Sequence, residues 1–136
     1  MQIGEKTVIT KSELLNMIKE GINPLEHIKT EKDIDFVSNS IIIEGNDEDS
    51  YWEETAEILF KSILYYVLFT ENEEKTLKRC KEIAEIGMEG TEGIEKVKNI
   101  VAKEERAEVL FKTIQIASDK TAKEVFKKLN ERLSKI

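Results

Sequence analysis

The feature that most constrains the fold is one unusually apolar stretch, residues 49–69, which reads DSYWEETAEILFKSILYYVLF. Its apolar residues recur every three or four positions, as they do on one face of a helix. The members of this stripe are Trp52, Ala56, Leu59, Phe60, Ile63, Leu64 and Val67. Further apolar and aromatic residues cover much of the opposite side, and a helix of this kind is buried on most faces. The stretch therefore predicts a central helix over about residues 51–69.

Composition favours helices for the rest of the chain as well. The 136 residues include one Pro and six Gly, with 40% hydrophobic and 36% charged residues. A chain of this length buries a sizeable core without disulfides or metals. We therefore expect an all-α protein, a compact bundle of about seven helices around the central one. Residues 1–21 should supply an N-terminal helix of uncertain affiliation within the same compact unit, and residues 22–136 the main domain.

Helix starts are marked by three pairs typical of capping boxes, Thr10 with Glu13, Thr30 with Asp33, and Ser50 with Glu53. Later helices are expected over about 77–86, 94–102, 104–117 and 118–133. Residues 44–49 and the glycine-rich 87–93 are expected to be loops, and residues 22–29 a connector or short turn.

Few residues could carry catalysis. The single Cys80 and single His27 exclude an intramolecular disulfide, a cysteine-based zinc site and a pair of histidine ligands. No P-loop or dinucleotide-binding glycine pattern occurs. We expect no independent enzymatic activity, no metal and no cofactor, and Cys80 is expected to be a buried apolar residue rather than a reactive thiol. No signal peptide or membrane-spanning run is apparent, so a cytoplasmic location without direct membrane contact is expected.

Charge is unevenly distributed around a net value of −7. Residues 44–57 hold seven acidic residues and no basic one, whereas the segment from residue 95 onward holds eleven Lys/Arg against seven Asp/Glu. The acidic stretch should attract basic partners, although acids at a helix start are also favoured by the helix dipole alone. The last helix should carry a basic outer face, with the residues Lys120, Lys123, Lys127, Lys128 and Arg132.

The segment 49–59, DSYWEETAEIL, resembles the D-P-F-W-x-x-A-E-x-L-L segment of type IV secretion coupling proteins, the TraG-like conjugative ATPases. Ser50 and Tyr51 stand where the family has Pro and Phe. Other segments resemble that family in the same order: Asn23-Pro24-Leu25 with Ile28, the helix from Lys32 to Ile43, the aromatic run ILYYVLF, Glu73 to Leu77, and Ser118 to Leu133. The resemblance covers roughly residues 22–136.

The resemblance implies that this chain is the all-alpha domain of a bacterial conjugation motor. In that family the domain is inserted into the nucleotide-binding domain of a membrane-anchored hexamer and receives the relaxase, its accessory proteins and the attached DNA strand. ATP and Mg²⁺ would belong to the motor domain, and the separate all-alpha domain would be a monomer. The acidic residues implied for docking basic relaxosome surfaces are Glu44, Asp47, Glu48, Asp49, Glu53 and Glu54.

Three alternatives remain open at this point, one of them an enzyme whose site is built from dispersed acidic residues. The same domain could bind single-stranded DNA through the basic face of the last helix, in which case binding would weaken steeply with salt. The chain could instead be a free-standing helical regulator or scaffold that shares only the bundle pattern. Transmembrane helices and a Walker A motif in the parent reading frame would distinguish a coupling protein from such a regulator.

Overall fold

The computed structural model describes residues 1–45, 50–115 and 119–136. Within these ranges the chain forms seven α-helices, which confirms the expected all-α bundle. They are α1 Lys11–Lys19, α2 Glu31–Ile42, α3 Ser50–Phe69, α4 Leu77–Ile86, α5 Thr91–Val101, α6 Glu105–Gln115 and α7 Asp119–Leu133. None of the described helices is both long and apolar enough to cross a membrane.

Helix α3 is the centre of the bundle, as its apolar pattern predicts. Its buried positions extend from the first turn to the last, and α2, α6 and α7 pack around it. The Ser62 hydroxyl donates a 2.6 Å hydrogen bond to the Ala107 carbonyl of α6, and Lys61 forms a 3.0 Å ion pair with Asp35 of α2. Burial of a Leu, Ile or Phe side chain contributes roughly 1.5–3 kcal/mol, so this helix supplies much of the driving force for folding.

Two of the three predicted capping boxes are present. Thr10 and Thr30 each accept a hydrogen bond from the backbone three residues later, and Glu13 and Asp33 complete the boxes. The third box is wrong, because Ser50 itself lies within α3 instead of preceding the helix as a cap. The Glu53 carboxylate instead accepts hydrogen bonds from a backbone N–H and a buried arginine.

Residues 1–21 contribute more than a helix. A short antiparallel hairpin, β1 Gln2–Ile3 and β2 Lys6–Thr7, precedes α1. Ile3, Val8 and Leu14 are buried in the same core as the later helices. Strands of two residues leave no alternating pattern to detect, so the sequence did not reveal this hairpin.

The glycine-rich segment 87–93 is more ordered than the expected loop. A short 3₁₀ helix, Gly87–Glu89, follows α4, and α5 begins at Thr91. A Cβ added to Gly87 would lie 2.1 Å from the Phe126 ring of α7, and one added to Gly93 would lie 2.0 Å from the Ile86 carbonyl oxygen. These two glycines therefore allow close packing between elements. A second 3₁₀ helix, Pro24–His27, forms the connector between α1 and α2.

Cys80 lies in the core, as expected. Its side chain is fully buried on α4, and this burial raises the pKa of the thiol to about 12. The thiol is therefore protonated at neutral pH and behaves as a small apolar group.

Replacement of Gly87 by Ala tests the close approach of α4 and α7. The added methyl would overlap the buried Phe126 ring, so Gly87→Ala should lower the free energy of unfolding by about 1–3 kcal/mol. Urea unfolding followed by circular dichroism measures this change. The control is Asn99→Ala on the exposed face of α5, which should change stability by less than about 0.5 kcal/mol. Equal stability of the two variants would contradict the packing described here.

Candidate functional site

The acidic and basic segments singled out in the sequence meet at one end of the bundle. The first turn of α3 carries Glu53, and the last turn of α7 carries Arg132. Although both side chains are charged, Glu53 is only 1% exposed and Arg132 only 4% exposed. Charged residues of this type are almost never fully buried unless they are paired.

The two residues form a direct ion pair. The Arg132 Nη2 atom donates to Glu53 Oε2 at 2.9 Å, and its Nε donates to the Ile42 carbonyl oxygen at 2.9 Å. The backbone N–H of Glu44 donates to the same Glu53 oxygen at 2.6 Å. Arg132 therefore fastens α7 both to α3 and to the end of α2.

A second layer of charge surrounds this pair toward solvent. Glu44 Oε1 lies 3.6 Å from Arg132 Nε and accepts a 2.6 Å hydrogen bond from Lys135 Nζ. Glu44 and Lys135 are both exposed. The network thus passes from a buried carboxylate, through a buried guanidinium, to an ion pair at the surface.

The network also sets the protonation of Glu53. Burial alone would raise the pKa of this carboxyl, but the hydrogen bonds from the Glu44 backbone and from Arg132 outweigh burial and hold the pKa below its ordinary value. Glu53 is consequently ionised at neutral pH, opposite the permanently charged Arg132.

This geometry changes the membership of the expected acidic docking surface. Glu53 does not belong to this surface, because its carboxylate accepts hydrogen bonds from the Glu44 backbone and from Arg132. Glu44 and Glu54 are exposed, with Glu44 shared with Lys135. Asp47, Glu48 and Asp49 lie outside the described residues.

The expected basic face of α7 is smaller than the sequence suggests. Lys120, Lys123 and Lys127 are exposed, but the Lys128 side chain is only 15% exposed and lies 3.3 Å from Glu131. Arg132 does not belong to this face at all, because it is buried and bonded to Glu53 and to the Ile42 carbonyl.

The sequence did contain a signal for this ion pair. Arg132 follows the buried Val125 by seven residues, and Glu53 precedes the buried Phe60 by seven residues. Positions seven apart lie on the same face of a helix, so both charges fall on core stripes. What the sequence could not supply is the pairing of two positions 79 residues apart.

A second polar cluster lies near the C-terminal end of α3. The buried Tyr66 hydroxyl donates to Glu73, which also accepts a 2.5 Å hydrogen bond from Arg79 Nε. Burial raises the pKa of Tyr66, and its bond to Glu73 acts in the same direction. This cluster joins α3 to α4 and gives the Tyr66 hydroxyl the hydrogen-bond partner that a buried tyrosine requires.

Neither the described residues nor comparisons with known proteins identify a metal site or a family for this chain. Within residues 1–45, 50–115 and 119–136, no group of three or more His, Cys, Asp or Glu side chains is arranged to hold a metal ion. Comparisons with protein-family models, with curated proteins and with solved structures found no match to this chain.

Removal of the Glu53 carboxylate tests the buried ion pair. We expect Glu53→Ala to lower the free energy of unfolding by about 3–5 kcal/mol, because Arg132 would then be buried without its main partner. Chemical denaturation provides the measurement. The neighbouring exposed Glu54→Ala is the control and should change stability by about 0.5 kcal/mol or less. A small effect of Glu53→Ala would show that the pair contributes little.

The ion pair also predicts a pH dependence. Because the folded pKa of Glu53 lies below the unfolded value of 4.5, its stabilising contribution is complete above that pH and is lost as the pH falls through the folded pKa. The stability difference between the wild type and Glu53→Gln should therefore shrink as the pH falls below about 4.5. Urea unfolding across that range measures the difference. Glu73, whose pKa is also lowered, is present in both proteins and cancels. A difference that stays constant to low pH would contradict the assignment.

Proposed function

We propose that this chain is the substrate-recognition domain of a conjugative type IV secretion coupling protein. In this proposal it docks the relaxase or its accessory proteins and so recruits the protein–DNA substrate to the motor. The observation that carries the proposal is the ordered resemblance over residues 22–136, whose most specific part is the segment 49–59. The all-α fold is the class that the resemblance implies.

The residue types of that segment have clear structural roles. Residues 50–59 form the first half of α3. Trp52 packs against the core, Glu53 pairs with Arg132, and Ala56 and Leu59 are fully buried. A segment that ties the central helix to the last helix would be needed in any domain built on this plan. This supports the resemblance through the physical role of its residues.

The acidic end gives the proposed docking surface. Glu44 and Glu54 are exposed there, and the buried Glu53 holds the Glu44 backbone in place. Acids at the rim of an interface mainly accelerate association with basic partners and set its salt dependence. The proposed surface therefore recruits a basic protein face, while the buried pair keeps the end of the bundle rigid.

A protein partner is favoured over DNA by the charges. The face of α7 retains three exposed lysines, and exposed Glu124 and Glu131 lie among them. The whole chain is acidic, with a net charge of −7, which opposes binding to a phosphate backbone. DNA would then reach the motor through the protein to which it is attached.

The experiment measures binding of the purified chain to the relaxase of the same genetic element, and separately to a labelled single strand, at low and at physiological salt. The test variant combines Asp47→Asn, Glu48→Gln and Glu54→Gln and leaves Glu53 intact. The matched control combines Glu20→Gln, Glu85→Gln and Glu92→Gln, which neutralises three exposed acids that lie outside the acidic segment 44–57. We expect the test variant to bind the relaxase about five- to tenfold more weakly at low salt, with a smaller effect at higher salt.

Each outcome has a distinct meaning. Relaxase binding that both variants retain equally would leave the receptor function standing but move its surface away from the acidic end. Binding to the single strand alone, weakened by Lys120→Gln with Lys123→Gln and Lys127→Gln, would replace the proposal with the DNA-binding alternative. Binding to neither would contradict the proposal.

A further inference from the structure

A second surface lies at the other end of α3 from the acidic residues. Two adjoining depressions, each of about 390 Å³, lie between the start of α2 and the start of α6. They share Glu31 and Arg106, and the last turns of α3 form their floor. We call this surface the aromatic groove and define it by Glu31, Tyr65, Phe69, Arg106 and Val109. Twelve residues at 1.5 Å each place Tyr65 roughly 18 Å from Glu53 along the helix.

The groove exposes apolar area that the bundle leaves uncovered. Phe69 is 52% exposed and Val109 is 58% exposed, although each is a large apolar residue. Ile28, Leu68 and Leu110, which are half-buried, extend the same lining. Exposed apolar surface with a polar rim is typical of protein-binding sites.

An arginine of the chain already occupies the aromatic faces. The Arg106 guanidinium carbon lies 4.0 Å from the centre of the Phe69 ring and 5.1 Å from the centre of the Tyr65 ring. The two rings stack with a centroid separation of 5.9 Å, and Glu104 holds Arg106 at 2.9 Å. The rings thus form a platform that attracts cations. Aromatic residues and arginine are also the residue types that contribute most to protein interfaces.

The charges around the platform favour a basic ligand. Asp35 is paired with Lys61, and Arg106 with Glu104. Neither Glu31 on α2 nor Glu105 on α6 forms an ion pair with a described residue. The two walls of the groove therefore carry two unpaired acids, and Lys29 is the unpaired base in its lining. The acids also dominate the field at Tyr65: after burial, Glu31 and Asp35 raise the pKa of its hydroxyl more than Arg106 and Lys61 lower it. That hydroxyl has no hydrogen-bond partner in the described part of the chain.

We infer that the aromatic groove is a docking site for an amphipathic basic segment of a partner protein. Apolar side chains of the segment would cover Phe69 and Val109. Its Arg or Lys side chains would pair with Glu31 and Glu105 and approach the Tyr65 ring. A short helix that places its apolar residues on one face and its basic residues at the flanks has this chemistry. The inference does not depend on the proposed coupling-protein function, since it uses a different surface.

The test uses a fluorescent synthetic peptide of about 14 residues, or roughly four helical turns. Leucines lie on one face of this peptide, and Arg and Lys lie at the flanks. A second peptide of the same composition distributes the leucines around the helix, which controls for simple attraction to an acidic protein. Anisotropy gives the affinity at low salt, and amide chemical shifts of the labelled full chain locate the contact.

We expect the amphipathic peptide to bind more tightly than its rearranged control and to shift amides near residues 28–35, 65–69 and 105–110. Glu31→Gln with Glu105→Gln should weaken binding about fivefold, whereas Glu85→Gln with Glu92→Gln should not. Val109→Glu places a charge on an exposed apolar position and should weaken binding about tenfold without unfolding the chain, with Met88→Glu as its exposed control.

Three results would overturn the inference. Equal affinity for the two peptides would indicate attraction by net charge alone. Amide shifts confined to other parts of the bundle would place the binding site elsewhere. A concentration-dependent dimer that Val109→Glu dissociates, measured by sedimentation, would show that a second copy of the chain covers the groove. None of these results bears on relaxase binding at the acidic end, so the two proposals fail separately.

Discussion

Helix α3 is buried on nearly all sides, and the other helices are arranged around it. A 20-residue helix with an apolar circumference requires neighbours along its whole length, and α2, α6 and α7 provide them. Buried polar groups near its two ends also need hydrogen-bond partners within the protein, because they are removed from water. The Glu53–Arg132 pair closes one end, and the Tyr66–Glu73–Arg79 cluster closes the other. The first pair joins residues 79 positions apart, whereas the second cluster joins neighbouring segments of the chain across the turn between α3 and α4.

The charged residues discussed above are of two kinds: buried ones that pair within the protein, and exposed ones that are available to a partner. From the sequence, Glu53 was expected on an acidic surface and Arg132 on a basic one. In the structure the two charges form an ion pair with each other. Desolvation of such groups costs several kcal/mol per ion, and only close pairing with added hydrogen bonds offsets it. Of the acids considered for partner binding, Glu54, Glu31 and Glu105 are exposed and form no ion pair with a described residue, whereas the exposed Glu44 is shared with Lys135.

Much of the fold could be predicted because its determinants are local. The capping boxes at Thr10 and Thr30 lie within four residues of sequence, and the apolar period of α3 extends through 20 residues. The candidate site could be predicted only in part. Ser50 and Glu53 match a capping box by spacing, but the Glu53 carboxylate finds stronger partners in Arg132 and the Glu44 backbone. The aromatic groove was not predicted, since Tyr65 and Phe69 looked like ordinary members of a buried helix.

The helical class, the central position of α3 and most helix starts follow from the amino-acid sequence, because periodicity and capping act between neighbours in the chain. Which charges are buried and which apolar residues remain exposed depends instead on how the helices pack. Arg132 meets Glu53 across 79 residues, and Arg106 meets Phe69 across 37. The strength of such contacts depends on distance and solvent exposure, and both quantities are set only when the helices pack.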